Sequence, residues 1–234
     1  MKVSKIVAST VVVLSVAELG VGGYSIKASA ATTPSSTDQA NNGLQLGNLK
    51  KTDTITEVSG GVYVHGKVTI SNTLDAKNEE VVLNTDTDSR AKKVEQVLAG
   101  ETLDVVTVPQ EAVTFSALAT TLSGQSTPPT ALMSLGSGAY ATGTWGSTSG
   151  WRYSNYAFQP TPVSTSNKPL YFIANKFAMW AGDSGYWGTL SNGPYYITAG
   201  NSYNVPDKSG DGNVYACWAN SPVSGSGYKV TNEN

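Results

Sequence analysis

The feature that most restricts the fold is a period of two in the apolar residues. Val62, Val64, Val68 and Ile70 alternate, through Gly66, with Tyr63, His65, Lys67 and Thr69. Side chains repeat on one face of a chain every second residue only when it is extended, so this segment reads as strand with one face to cover. Residues 81–83 and 103–108 continue the pattern in β-branched residues broken by Asn, Asp and Gly. Residues 89–98 fit either of two readings: a short amphipathic helix carrying Ala91, Val94 and Leu98 on one side, or a further strand. An all-β, antiparallel sandwich is the expected fold class.

The N-terminus has a different grammar. Lys2 and Lys5 precede an apolar run from Ile6 to Ala17, and Ala28, Ser29 and Ala30 follow as small residues. This is the order of a secretory signal, with cleavage expected after Ala30. The run falls short of the roughly 20 residues a membrane-crossing helix needs, and Glu18 interrupts it. No integral membrane span is therefore expected after cleavage, and the protein is expected outside the cell, secreted or held non-covalently to a surface. Residues 31–50, rich in Thr, Ser, Asn, Gln and Gly, read as a disordered tether. A single cysteine, Cys217, leaves no internal disulfide to make. Scarce cysteine behind a lysine-led signal resembles the secreted proteins of Gram-positive bacteria.

Residues 123–129 form a Gly, Ser, Thr and Pro stretch that reads as a loop or linker. All five tryptophans lie beyond it, whereas charged residues concentrate before it. The uneven split suggests a charged β-rich unit over residues 51–122 and an aromatic-rich β-sandwich unit over residues 130–234. Ala99-Gly100-Glu101-Thr102 leads toward Val108-Pro109, as Ala199-Gly200-Asn201-Ser202 leads toward Val205-Pro206. Such an Ala-Gly turn opening a strand that stops at Val-Pro resembles the immunoglobulin-like sandwiches. The resemblance implies two tandem units of that type; a single larger sandwich with an N-terminal extension is the other arrangement compatible with the pattern.

Several functions are disfavoured by composition. Removing residues 1–30 takes away Lys2, Lys5, Lys27 and Glu18 and moves the formal charge from −2 to −4. A mildly acidic chain whose one basic cluster, Arg90, Lys92 and Lys93, is surrounded by Asp86, Asp88 and Glu95 is unsuited to nucleic acid. One histidine and one cysteine cannot make the three or four His or thiolate ligands of a zinc site. Asp207, Ser209, Asp211 and Asn213 alternate as in an oxygen-rich calcium loop, but Trp218 stands where an EF-hand has its glutamate, and a hairpin turn accounts for the same residues. No metal and no cofactor is expected.

Gly182-Asp183-Ser184-Gly185 resembles the nucleophile loop of the chymotrypsin-like serine proteases, which implies Ser184 as nucleophile and His65, the only histidine, as base. The string continues Tyr186-Trp187 rather than as that family does, and His65 lies inside a strand-like alternation. A tight polar turn explains it equally. Cys217 with His65 is the other nucleophile and base pair available, and Cys217 reads better as a small apolar residue within a strand. The four carboxylates of the second half, Asp183, Asp207, Asp211 and Glu233, occupy turn-like or terminal positions without sign of a cleft for sugar hydrolysis.

Aromatic residues remain. Trp145, Trp151, Tyr153 and Tyr156 stand in a Gly and Ser-rich stretch, and Trp180, Tyr186 and Trp187 flank the 182–185 turn. Strands favour aromatics for packing, so most are expected in the core. Trp151, Tyr153, Tyr186 and Trp187 are the candidate ligand-binding residues, because flat rings with polar tips suit a sugar face or a protein interface. The expected function is that of a non-catalytic extracellular or cell-surface binding protein recognising a glycan, another surface polymer or a surface protein. The alternatives are a bacteriocin-like toxin acting on bacterial envelopes and a serine hydrolase using Ser184 and His65. Oligomeric state has no signature in the sequence.

Overall fold

The computed structural model describes residues 49–75, 77–108, 124, 126–145, 150–162, 170–182, 195–206, 215–223 and 225–234. The expected signal and nearly all of the expected tether lie outside this set, and the described residues all belong to one compact unit. Their secondary structure is nearly all β. In chain order the strands are β1 (Thr54–Val58), β2 (Val62–His65), β3 (Lys67–Ser71), β4 (Glu79–Asn84), β5 (Lys92–Lys93), β6 (Val105–Val106), β7 (Leu132–Leu135) and β8 (Tyr140–Thr144). They continue as β9 (Trp151–Tyr153), β10 (Ala157–Pro160), β11 (Leu170–Asn175), β12 (Met179–Gly182), β13 (Tyr195–Ile197), β14 (Ser202–Val205), β15 (Tyr215–Asn220) and β16 (Gly227–Thr231). A single helical turn, α1 (Val94–Leu98), follows β5.

Three sheets result. The largest runs β14-β11-β16-β8-β2-β1-β5, with β6 also paired to β1; a second runs β10-β7-β3-β4 and a third β13-β12-β15-β9. Pairing is antiparallel as expected, except that β6 lies parallel to β1 and β10 parallel to β7.

The alternation from Val62 to Ile70 is realised across two sheets rather than in one strand. Val62, Val64, Val68 and Ile70 are all fully buried, but Gly66, with φ at +83°, turns the chain out of the large sheet and into the second. β7 and β8 make the same passage beside it: β2 pairs with β8 on one side of the bend and β3 with β7 on the other. A Cβ on Gly66 would sit 3.0 Å from Ala139, and one on Gly136 would sit 2.9 Å from the Lys67 carbonyl oxygen, so glycine is what lets the two ribbons bend together. Folding one antiparallel ribbon over a corner in this way gives a sandwich-like arrangement from one continuous set of strands.

Between the large and second sheets lies the main core. Phe172 of β11 meets Phe158 of β10 edge to face at 6.2 Å, and Phe158 meets Tyr228 of β16 at 6.0 Å. Met179, Ala181, Ile197 and Ala219 carry the inner face of the third sheet into the same cluster. Val62, Val64, Val68 and Ile70, from the charged stretch, belong to it too. Residues on both sides of the 123–129 composition shift therefore share two sheets and one core.

A smaller cluster covers the other face of the large sheet, where Ile55, Tyr63 and Tyr140 receive Val94 and Val97 of α1. Residues 89–98, read as either a helix or a strand, contain a short piece of each, β5 and then α1. The buried helical positions are Val94 and Val97, while Leu98 is exposed, because only one turn forms. Gly100, with φ at +101°, ends it: its N–H donates to the Val97 carbonyl and that of Glu101 to the Gln96 carbonyl, the paired bonds of a Schellman cap. Gly200, with φ at +80°, instead joins β13 to β14. The two Ala-Gly segments share a positive φ at glycine and differ in the turn around it.

Candidate functional site

Of the three exposed aromatic residues among the described positions, the third sheet carries two, Trp151 and Tyr196; Tyr203 lies on β14 of the large sheet. In β12 the pattern Met179, Trp180, Ala181 is in, out, in, and in β13 Tyr196 points outward beside the buried Ile197. Pairing then aligns the outward residues. Trp180 is opposite Tyr196 on one side and opposite Trp218 on the other, and Trp218 is opposite Tyr153 of β9. Residues directly opposite in an antiparallel pair project from the same face. Tyr196, Trp180 and Tyr153 therefore stand in one row that crosses all four strands, with Trp218 at the register position between the last two. Three interstrand steps place the ends of the row roughly 14 Å apart.

Trp151 lies two residues before Tyr153, on the same face, opposite Asn220. It is 45% exposed and Tyr196 is 55% exposed, while Trp180 and Tyr153 are half-buried. The Trp180 and Tyr196 rings meet at 4.9 Å with a tilt of 58°, so they brace each other without stacking flat. Met179, Ala181, Ile197 and Ala219 fix the sheet from behind, all buried. The row is in this way an outward consequence of inward packing: once the small and aliphatic residues choose the core, the rings between them face out.

Of the expected binding residues, Trp151 and Tyr153 are brought together on this face. Tyr186 and Trp187 lie outside the described residues. Trp180 and Tyr196 join the site unforeseen. The only signal for Tyr196 was its place beside Tyr195 before Ile197, which says that one of the two faces out without saying which. Tyr195 packs against the core and stacks on Tyr203 at 4.6 Å. Trp145 and Tyr156 are buried, as expected of most aromatics: Trp145 packs on Tyr228 at 4.8 Å, and the Tyr156 hydroxyl donates to the Ser59 carbonyl. Burial pushes the Tyr156 phenol up to about 12.

His65 ends β2 instead of lying in mid-strand, where the alternation had placed it, since the chain changes sheets at the next residue. Its ring stacks on Tyr140 at 4.8 Å and its Nδ1 lies 2.7 Å from the Thr54 carbonyl oxygen. Ser184 lies outside the described residues, as do the carboxylates Asp183, Asp207 and Asp211 and the loop residues Ser209 and Asn213. Cys217 is in β15, a strand residue as expected.

Two of the three residues of the basic cluster are paired locally. Arg90 pairs with Asp88 at 2.7 Å and Lys92 with Glu101 at 3.0 Å, and these hydrogen bonds hold both carboxyls below their ordinary range. No group of three or more His, Cys, Asp or Glu fit to hold a metal occurs among the described residues. No helix among them is long and apolar enough to cross a membrane. No protein-family model, no curated protein and no solved structure matches the chain.

Proposed function

We propose that the chain is a secreted, non-catalytic binding protein that takes a glycan or other surface polymer on the outer face of the third sheet. The observation that carries this reading is the register of Tyr196, Trp180 and Tyr153 in one row, with Trp151 beside it. A sugar ring offers C–H groups on its flat face and hydroxyls around its edge. Aromatic faces receive the former, and phenol and amide groups such as those of Tyr196, Tyr153 and Asn220 suit the latter. Rings held on strands backed by a packed core lose little freedom on binding, which favours affinity from few contacts.

An immunoglobulin-like pair in tandem would give each half its own core. The sheets and core shared across residues 123–129 favour a single sandwich-like body instead.

The test is co-sedimentation of the purified protein with washed Gram-positive cells and with their isolated walls, scoring cell survival in the same tubes. Sedimentation with surviving cells, lost in Trp151→Ala, is the expected result. Cell killing would replace this reading with the envelope-directed toxin. Failure to sediment with cells, walls or insoluble polysaccharides would end it.

A further inference from the structure

The aromatic face has a direction and a charge, and both bear on what fits it. The row runs across the strands, from Tyr196 on β13 through Trp180 on β12 to Tyr153 on β9, the two outer strands of a four-stranded sheet. Along β9 the same face offers Trp151 and Tyr153, two residues apart. The described outward positions, Trp151, Tyr153, Trp180, Tyr196 and Asn220, include no Asp, Glu, Lys or Arg. Arg152 is the one charged residue of these strands, and it projects from the opposite face, as the register partner of the buried Ala219.

We infer that the ligand is an uncharged polysaccharide whose extended chain crosses the strands along the line of Tyr196, Trp180 and Tyr153; this rests on the glycan-binding reading above. A phosphate- or carboxylate-bearing polymer would call for Lys or Arg on the face, as charge-assisted contacts do elsewhere. A folded protein partner of ordinary affinity covers about 800 Å² on each side. The two exposed and two half-buried aromatic side chains described on this face offer roughly a few hundred Å², which suits a single chain. Sugars joined through equatorial bonds keep successive rings flat in an extended strand, which matches a straight row better than a helical glycan does. Several rings engaging one chain act as linked contacts, so affinity rises with chain length until the row is covered.

The experiment is titration of the intact protein, followed by its tryptophan fluorescence, with N-acetylglucosamine oligomers and β-linked glucose oligomers of two to six sugars, and separately with polygalacturonate. Retention on insoluble chitin, cellulose and peptidoglycan is measured alongside. Affinity for one uncharged series rising about tenfold or more from two to six sugars, unchanged by salt, is the expected result. Tyr196→Ala should flatten that rise and Tyr196→Phe preserve it, because the ring, not the hydroxyl, supplies the end contact; circular dichroism establishes that both variants are folded. Equal affinity for short and long oligomers, a rise untouched by Tyr196→Ala, or salt-sensitive binding to polygalacturonate alone would overturn the crossing, uncharged chain while leaving a glycan-binding protein. Retention on none of the polysaccharides, with no fluorescence change, would overturn the glycan reading itself.

Discussion

At the scale of single residues, neighbouring aromatics take opposite tasks. Tyr195 packs inward and Tyr196, 55% exposed, faces out, so the same substitution should separate stability from binding. Tyr196→Ala should change unfolding free energy by no more than about 0.5 kcal/mol and weaken glycan binding, whereas Tyr195→Ala should cost about 2 kcal/mol or more. Urea unfolding of the two variants checks this. Buried phenols give a second prediction. Burial raises Tyr63, Tyr140 and Tyr156, the last to about 12, above the ordinary 10 of an unfolded chain. The folded protein therefore holds protons that the unfolded chain releases, and the stability they contribute is complete below pH 10 and lost as pH rises through the folded values. Lys229, which burial lowers, works the other way, one group against three. The tyrosinate absorbance of these three phenols should accordingly appear together with unfolding above about pH 10, and Tyr156→Phe should make the decline in stability shallower.

The corner at Gly66 is the most exposed weakness at the scale of elements. Two paired ribbons, β2–β3 and β7–β8, bend over it together, with φ at +83° and Ala139 3.0 Å from where a Cβ would lie. Gly66→Ala should cost about 1–3 kcal/mol, since strain and overpacking act at the same point. Gly100→Ala, in an equally positive φ but with nothing within 4 Å, should cost less. Thermal unfolding of the pair checks the order, and equal losses would mean that the close approach to Ala139 carries no cost. The alternation of Val62, Val64, Val68 and Ile70 was legible because a period of two survives the bend. That Gly66 divides those residues between sheets was not, because a glycine within a strand pattern signals a bulge, a close approach or a corner alike.

For the whole molecule, shared pairing predicts that the charged and aromatic stretches unfold as one cooperative body. β2 and β3 of the first stretch are bonded to β8 and β7 of the second, and Val62, Val64, Val68 and Ile70 sit in the core with Phe158, Phe172 and Val230. Cutting between them would leave unpaired strand edges and half a core on each side. The intact protein should unfold in one calorimetric transition, and residues 130–234 produced alone should show none. A cooperative transition from that fragment would restore two independent units. The composition shift near residues 123–129 thus separates surfaces of different chemistry. It says nothing of where cores divide, because a core is made by pairing between distant strands.

The sequence by itself determined the all-β class and the residue types available for function: β-branched alternation requires sheets, and the tryptophans gather in one half. It also determined that adjacent residues such as Tyr195 and Tyr196 face opposite ways, and it put Trp151 and Tyr153 forward together. Which face is covered, and which strand lies beside which, only the tertiary structure decided. Residues 153, 180, 196 and 218 come from four separate strands, and nothing local links them. Their alignment is a property of strand order and register, set by how the inward residues of each strand find the common core.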